Sequence, residues 1–192
     1  MFVLGVTGPS GAGKGTVCEI LKEHGYYHID TDRLVPGVYP QALPELIAAF
    51  GPQVATDGNI NKKVLAKVAF ASPEATNKLN SILHPLIMKR VEELIHQAER
   101  EGFRAVAVDG AALLEAHGER VCDKILCVIS PKRERLRRVI QRDSISEDLA
   151  LNRFEAQKPD EYYTANSDAV IENRTLEQLK RELIILIKEW ER

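Results

Sequence analysis

The chain has 192 residues, with 44% apolar and 28% charged side chains and a formal net charge of −2, the balance of one globular domain with room for an inserted subdomain. So small a charge excludes whole-molecule attraction to nucleic acid or to an anionic membrane, and any recognition of anions has to be local. Three cysteines, Cys18, Cys122 and Cys127, lack C-x-x-C spacing, which speaks against a disulfide framework or a zinc site and fits a reducing cytoplasm; neither a bilayer-spanning run nor a signal peptide is expected.

In chain order, residues 3–7 are an apolar, strand-sized run that leads into Gly8-Pro9-Ser10-Gly11-Ala12-Gly13-Lys14-Gly15-Thr16. The spacing G-x-x-x-x-G-K marks a phosphate-binding loop. Gly8, Gly11 and Gly13 let successive N–H groups, with those of Ala12 and Gly15, turn inward into an anion nest. The helix that follows, residues 16–24 up to Gly25, aims its positive end at the same point. Lys14 adds a full charge for the β- and γ-phosphates of ATP, and the Thr16 hydroxyl is placed to meet Mg²⁺. Gly15 stands where the usual motif has Ser or Thr, so phosphate binding is expected more firmly than metal ligation.

Residues 26–29 form a second strand and end in Asp30-Thr31-Asp32, at the carboxyl end of a strand where open parallel sheets bind ligands. Period-two alternation sends both carboxylates to one side. One of them is expected to cap a helix, and the other to take a proton from an acceptor hydroxyl or to hold Mg²⁺ through water. Residues 41–101 read as helical almost throughout, over 43–50, 64–70 and a long pattern on either side of His84-Pro85. The proline disfavours helix at His84 and restarts one after it, so His84 is expected to be a cap or a partly buried structural histidine.

A third strand at 105–108 ends in Asp109, which has the placement of a second metal-binding carboxylate beside a phosphate loop. A fourth, 125–129, precedes Ser130-Pro131, expected to cap a helix over 132–141 that carries Arg133, Arg135, Arg137, Arg138 and Arg142. Most of this run is expected to be a solvated face. Arg138 and Arg142, spaced i, i+4, are the pair expected to reach a triphosphate. After a fifth strand at 169–171, Thr175 caps a last helix with Leu176, Leu179, Leu183, Leu186 and Trp190 on one face. Alternating strands and helices imply right-handed β-α-β units and a parallel sheet covered on both faces.

Taken together, these residues resemble the dephospho-coenzyme A kinase family across nearly the whole chain. The matching motifs are Gly5-Val6-Thr7-Gly8, Asp30-Thr31-Asp32, Asp57-Gly58-Asn59-Ile60-Asn61-Lys62-Lys63-Val64-Leu65, Leu83-His84-Pro85-Leu86-Ile87, Asp109-Gly110-Ala111-Ala112-Leu113-Leu114-Glu115, the set Arg138, Arg142-Asp143, Ser146, Arg153 and Gln157, and Asp168-Ala169-Val170-Ile171-Glu172-Asn173. Pro36 and Ala111 depart from the family pattern, the first where a basic residue is usual. The resemblance implies an α/β P-loop kinase fold: a five-stranded parallel sheet flanked by helices, a helical acceptor subdomain at about 36–101 within a core of 1–35 and 102–192, and an arginine-rich lid at about 132–157. It implies transfer of the γ-phosphoryl of ATP to the ribose 3′-hydroxyl of dephospho-coenzyme A, with no obligatory protein partner. Lys14, Asp32 and Arg142 are then catalytic, Arg138 and Asn173 belong to the nucleotide side, and Asp30, His84 and Asp109 belong to the acceptor side. Another small-nucleotide kinase, or a nucleotide-binding regulator without turnover, are the alternatives.

Overall fold

A computed structural model describes residues 1–191. Its elements run β1 (Phe2–Thr7), α1 (Lys14–Glu23), β2 (Tyr27–Asp30), α2 (Thr31–Phe50), β3 (Ala55–Thr56), β4 (Asn59–Ile60), α3 (Lys62–Ala69), α4 (Pro73–Arg100), β5 (Ala105–Asp109), β6 (Lys124–Ile129), α5 (Lys132–Asp143), α6 (Glu147–Glu155), α7 (Asp160–Ala165), β7 (Ala169–Glu172) and α8 (Leu176–Trp190). All five expected strands are present. They form one sheet in the order β2-β5-β1-β6-β7, and β1 pairs in parallel with β5 and β6, as β6 does with β7.

Two compact units are distinguishable, one of Met1–Ile29 with the chain from Ile95 onward, the other Asp30–Leu94. In the first, β1 sits at the centre of the sheet, and Leu4 and Val6 are fully buried. Helices α1 and α8 pack on one core through Val17, Ile20 and Leu21 on the first, and Leu179, Leu183 and Ile187 on the second. The seam of α8 is thus narrower than the sequence suggests: Leu176, at the first turn, is 62% exposed, and Leu186 and Trp190 only flank the core. Thr175 caps α8 by accepting from the Gln178 N–H, as expected.

In the second unit, α2 is a 20-residue helix through Pro36, Pro40 and Pro44, where only residues 43–50 were expected to be helical. The three prolines recur every fourth residue and all lie on the exposed face. The carbonyls they release therefore point to water, and the cost of interior prolines is reduced. The same holds for Pro85, exposed within the unbroken 28-residue α4. His84 is accordingly an interior helix residue and not a cap. The unit is also not wholly helical, because β3 and β4 pair as an antiparallel hairpin. Asp57 and Gly58 close it with φ of 50° and 75°, the positive-φ pair of a two-residue turn for which Asp-Gly is a preferred sequence.

Candidate phosphate-binding site

The glycine loop connects the end of β1 to the start of α1 at the middle of the sheet. Gly8 holds φ at +134°, and a Cβ there would stand 2.2 Å from the Val128 carbonyl oxygen. The loop thus runs against β6 with no room for a side chain. Helix α1 starts at Lys14 from Gly13, which has φ 112° and offers no side chain to the first turn. Helices α2, α3, α6 and α8 spend the side chains of Asp30, Asn61, Ser146 and Thr175 on that task. At α1 the first-turn N–H groups and the helix dipole are left for an anion. Lys14 Nζ lies over the loop, donating to the carbonyls of Gly8 at 2.8 Å and Pro9 at 3.4 Å. Thr16 is exposed in the first turn of α1.

Three side chains from the C-terminal part of the chain hold the loop from behind. Asn173, buried just after β7, donates from Nδ2 to the Ala12 carbonyl at 2.9 Å. Arg138 on α5 donates to the carbonyls of Gly11 at 3.2 Å and Ala12 at 3.4 Å, and to Ser130 Oγ at 3.3 Å. Gln157 accepts from the Ser10 N–H at 2.9 Å. The Arg138 guanidinium is thereby committed to the loop backbone, a different position from that of a lid arginine extended towards a triphosphate. Ser130 is likewise not the cap of α5. The capping residue is Pro131, without a side-chain bond, while Ser130 Oγ donates to the Asn173 carbonyl at 3.0 Å.

This packing yields a sharp expectation. A Cβ on Gly13 would lie 2.1 Å from Asn173 Nδ2. Gly13→Ala should therefore displace Asn173 and strain a positive-φ position, while Asn173→Ala removes the same bond without the clash. Nucleotide titration should show weaker binding in both, more so in Gly13→Ala, and thermal melts should put Asn173→Ala within about 1–2 kcal/mol of the parent. An unchanged affinity in both variants would remove the loop from the site.

The arginines of α5 do not behave alike. Arg135, expected on a solvated face, is buried: Nη2 meets Asp160 Oδ2 at 2.8 Å, and its guanidinium stacks over Phe154 at 5.3 Å. Arg142 is exposed and makes a fork onto Asp143, with Nε and Nη2 at 2.7 and 3.0 Å from the two carboxylate oxygens. Arg153 on α6 donates to the same carboxylate at 2.5 Å. Hydrogen bonds from Arg142 first, and the charges of both arginines, pull the Asp143 carboxyl down to about 2. A depressed carboxylate contributes its stabilisation above the unfolded-state value, near 3.9, and loses it as pH falls through the folded value. The α5–α6 connection should thus stay tied from neutral pH to about pH 4 and release only below it. Asp143→Asn should loosen it at neutral pH, seen as faster amide exchange over residues 142–153, and the difference from the parent should fade only as pH falls through about 2.

Asp109 ends β5 beside the end of β1, in register with Val6. Its Oδ2 lies 3.8 Å from His28 Nε2 on β2, and Cys18 of α1 also faces it. That His28 and Cys18 converge on Asp109 was not legible in the sequence, since the three come from separate elements. The Gln157 contact with the loop was present only as one residue of the family pattern. In the segment after β5, the carboxyl of Glu115 is pushed up by burial.

Asp30 and Asp32 belong to the helical unit, together with His84. Strand alternation does not govern the two acids, because helix begins at Thr31. Asp30 is the N-cap of α2, its Oδ1 accepting from the N–H groups of Asp32 at 3.0 Å and Arg33 at 3.2 Å, and its Oδ2 lies 3.2 Å from Arg33 Nε. Asp32 occupies the first turn and is exposed. In the same unit, α2 and α4 line a cleft with Arg33, Gly37, Leu86, Lys89 and Arg90.

Comparison with known proteins agrees with this geometry. Residues 2–178 match the family model for dephospho-CoA kinase. A dephospho-CoA kinase from Carboxydothermus hydrogenoformans is 33% identical over 193 residues, covering 98% of this chain and 94% of that one. Among solved structures, TT1252 from Thermus thermophilus superimposes with a TM-score of 0.80 at 31% identity, over 98% and 97% of the two chains. A dephospho-CoA kinase from Campylobacter jejuni gives 0.59 at 25% identity, over 97% and 96%. The chain belongs to the dephospho-CoA kinase family.

Proposed function

We propose that Lys14, Asp32 and Arg142 carry the reaction of this family in this chain, the transfer of the γ-phosphoryl of ATP to the ribose 3′-hydroxyl of dephospho-coenzyme A. The reading rests above all on one observation. The uncapped first turn of α1 and the Lys14 ammonium face a loop whose backbone is fixed by Asn173, Arg138 and Gln157. Such a cradle acts by preorganised positive potential where charge spreads over the transferred group. Gly8, Gly11, Ala12, Gly13 and Gly15 supply the close-approaching backbone, and Lys14 the charge that follows the β- and γ-phosphates. Asp32 accepts the proton of the acceptor hydroxyl, while Asp30 is already engaged as a cap. Arg142 adds charge to the transferring group on exchanging Asp143 for phosphate, and Arg138 acts as support of the loop.

The Thr16 hydroxyl and, through water, the Asp109 carboxylate are the hard oxygen donors suited to Mg²⁺. When bound, the ion neutralises phosphate charge. Arg33, Lys89 and Arg90 in the α2–α4 cleft suit the diphosphate of dephospho-coenzyme A, with His84 on the pantetheine side. The two substrates are small molecules, and a cytoplasmic location belongs to the same reading; among the described residues no helix is long and apolar enough to cross a membrane.

Coupled measurement of ADP release tests the reading. Dephospho-coenzyme A should stimulate release far more than AMP, CMP, adenosine or shikimate. His84→Ala should raise KM for dephospho-coenzyme A and leave KM for ATP in place. Equal stimulation by AMP would assign the site to a nucleoside monophosphate acceptor, and ATP binding without stimulation by any acceptor would make the chain a nucleotide-binding regulator.

A further inference from the structure

The mechanism uses Asp109 but gives no task to the two side chains facing it. Cys18 sits on the buried side of α1, one turn after Lys14, and is fully buried. His28 belongs to β2, and its Nε2 is buried without a hydrogen-bond partner. One ligand atom from each of Cys18, His28 and Asp109 lies within 4.8 Å of the other two. A thiol, an imidazole nitrogen and a carboxylate oxygen are three donor types of tetrahedral zinc sites. Metal–ligand distances of about 2.0–2.3 Å imply donors roughly 3.3–3.6 Å apart at tetrahedral angles. The His28–Asp109 separation of 3.8 Å is therefore within a small side-chain adjustment of closing.

The chemistry of the cluster selects the ion. A thiolate is a poor partner for Mg²⁺, and the mixed S, N, O set favours Zn²⁺ and ions like it. Burial first, then the neighbouring Asp109 carboxylate, hold the Cys18 thiol strongly in its protonated form. A divalent cation offsets both effects, since it replaces the proton and neutralises the carboxylate. By contrast, the thiols of Cys122 and Cys127 are pushed up to about 12 mainly by burial. They have no such partner set among the described residues.

We propose that Cys18, His28 and Asp109 form a three-ligand site for a Zn²⁺-class ion, open at its fourth position, and that filling it inhibits the enzyme by withdrawing Asp109 from the substrates. On binding, the Cys18 S–H bond breaks, its proton goes to solvent, and a metal–sulfur bond forms. No redox change takes place. The site is separate from the oxygen-donor position suited to Mg²⁺ but shares Asp109 with it, so zinc-type and magnesium-type ions act in opposite directions. The binding half stands on the cluster alone. The inhibitory half rests on the kinase reading.

Titration of the full-length protein with Co²⁺ tests the binding half. One equivalent should develop the near-ultraviolet thiolate-to-cobalt absorption in the parent protein. Cys18→Ser and Cys18→Ala should abolish that band, and His28→Gln should weaken binding roughly tenfold or more. Thermal melts with and without metal check that each variant is folded. For the inhibitory half, ADP release is followed with Mg²⁺ in excess and free Zn²⁺ held by a metal buffer. Zinc should suppress the parent enzyme and spare Cys18→Ser and His28→Gln, whose zinc-free rates should match the parent. Absence of the cobalt band, or its persistence in folded Cys18→Ser, overturns the site. Equal zinc inhibition of parent and variants overturns the regulatory role. A normal cobalt band in a protein without turnover keeps the site and overturns the kinase reading.

Discussion

Lys14→Ala should lower kcat on the order of 10²–10³-fold, the usual consequence of deleting one preorganised charge from the transition state. The fold should survive the loss of the ammonium's bonds to the Gly8 and Pro9 carbonyls of its own loop. Arg138, Asn173 and Gln157 continue to hold that backbone without it. Circular dichroism and the melting temperature should thus stay close to the parent while turnover collapses. A purified variant within a few-fold of parental activity would show that the charge facing the phosphates comes from elsewhere.

Asp32→Asn should reduce kcat by about 10²–10⁴-fold, the range associated with loss of a positioned general base. Affinity for ATP should barely change, since the substitution keeps the shape of the side chain. The neighbouring Asp30→Asn should do something different. Its Oδ1 accepts from two N–H groups at the start of α2, and an asparagine oxygen can still cap. Its effect should be a modest loss of stability with a small change in kcat. A larger kcat loss at Asp30 than at Asp32 would reverse the two roles.

Much of this arrangement was legible in the chain because its signals are local. The glycine loop, the strand before it and the helix after it are contiguous, so spacing alone defines the nest and its lysine. The five strands were legible for a related reason: in a parallel sheet covered on both faces they appear as short, nearly unbroken apolar runs. The region between β2 and β5 was harder. Pro36, Pro40, Pro44 and Pro85 look like helix breakers in sequence, yet all four lie on exposed helix faces where water can take the released carbonyls. Asp57-Gly58 carried a usable hairpin signal, masked by the helical patterns around it. Least legible were contacts between distant segments. Nothing in the spacing shows that Arg138 binds the loop carbonyls or that Arg135 is buried against Asp160 and Phe154. The Cys18–His28–Asp109 cluster is of the same kind, with residues drawn from a helix and two strands.

The anchoring of the glycine loop bears on how the protein is made. The loop leaves a ribosome more than a hundred residues ahead of Arg138, Gln157 and Asn173, which give it its shape. Its strand also needs β5 and β6 as neighbours. A nascent chain therefore carries the complete phosphate-binding sequence long before it has a phosphate-binding site. Nucleotide cannot stabilise early folding intermediates, and fragments ending before Asn173 should be unable to retain ATP. Competence for phosphate arrives only once β7 has joined the sheet.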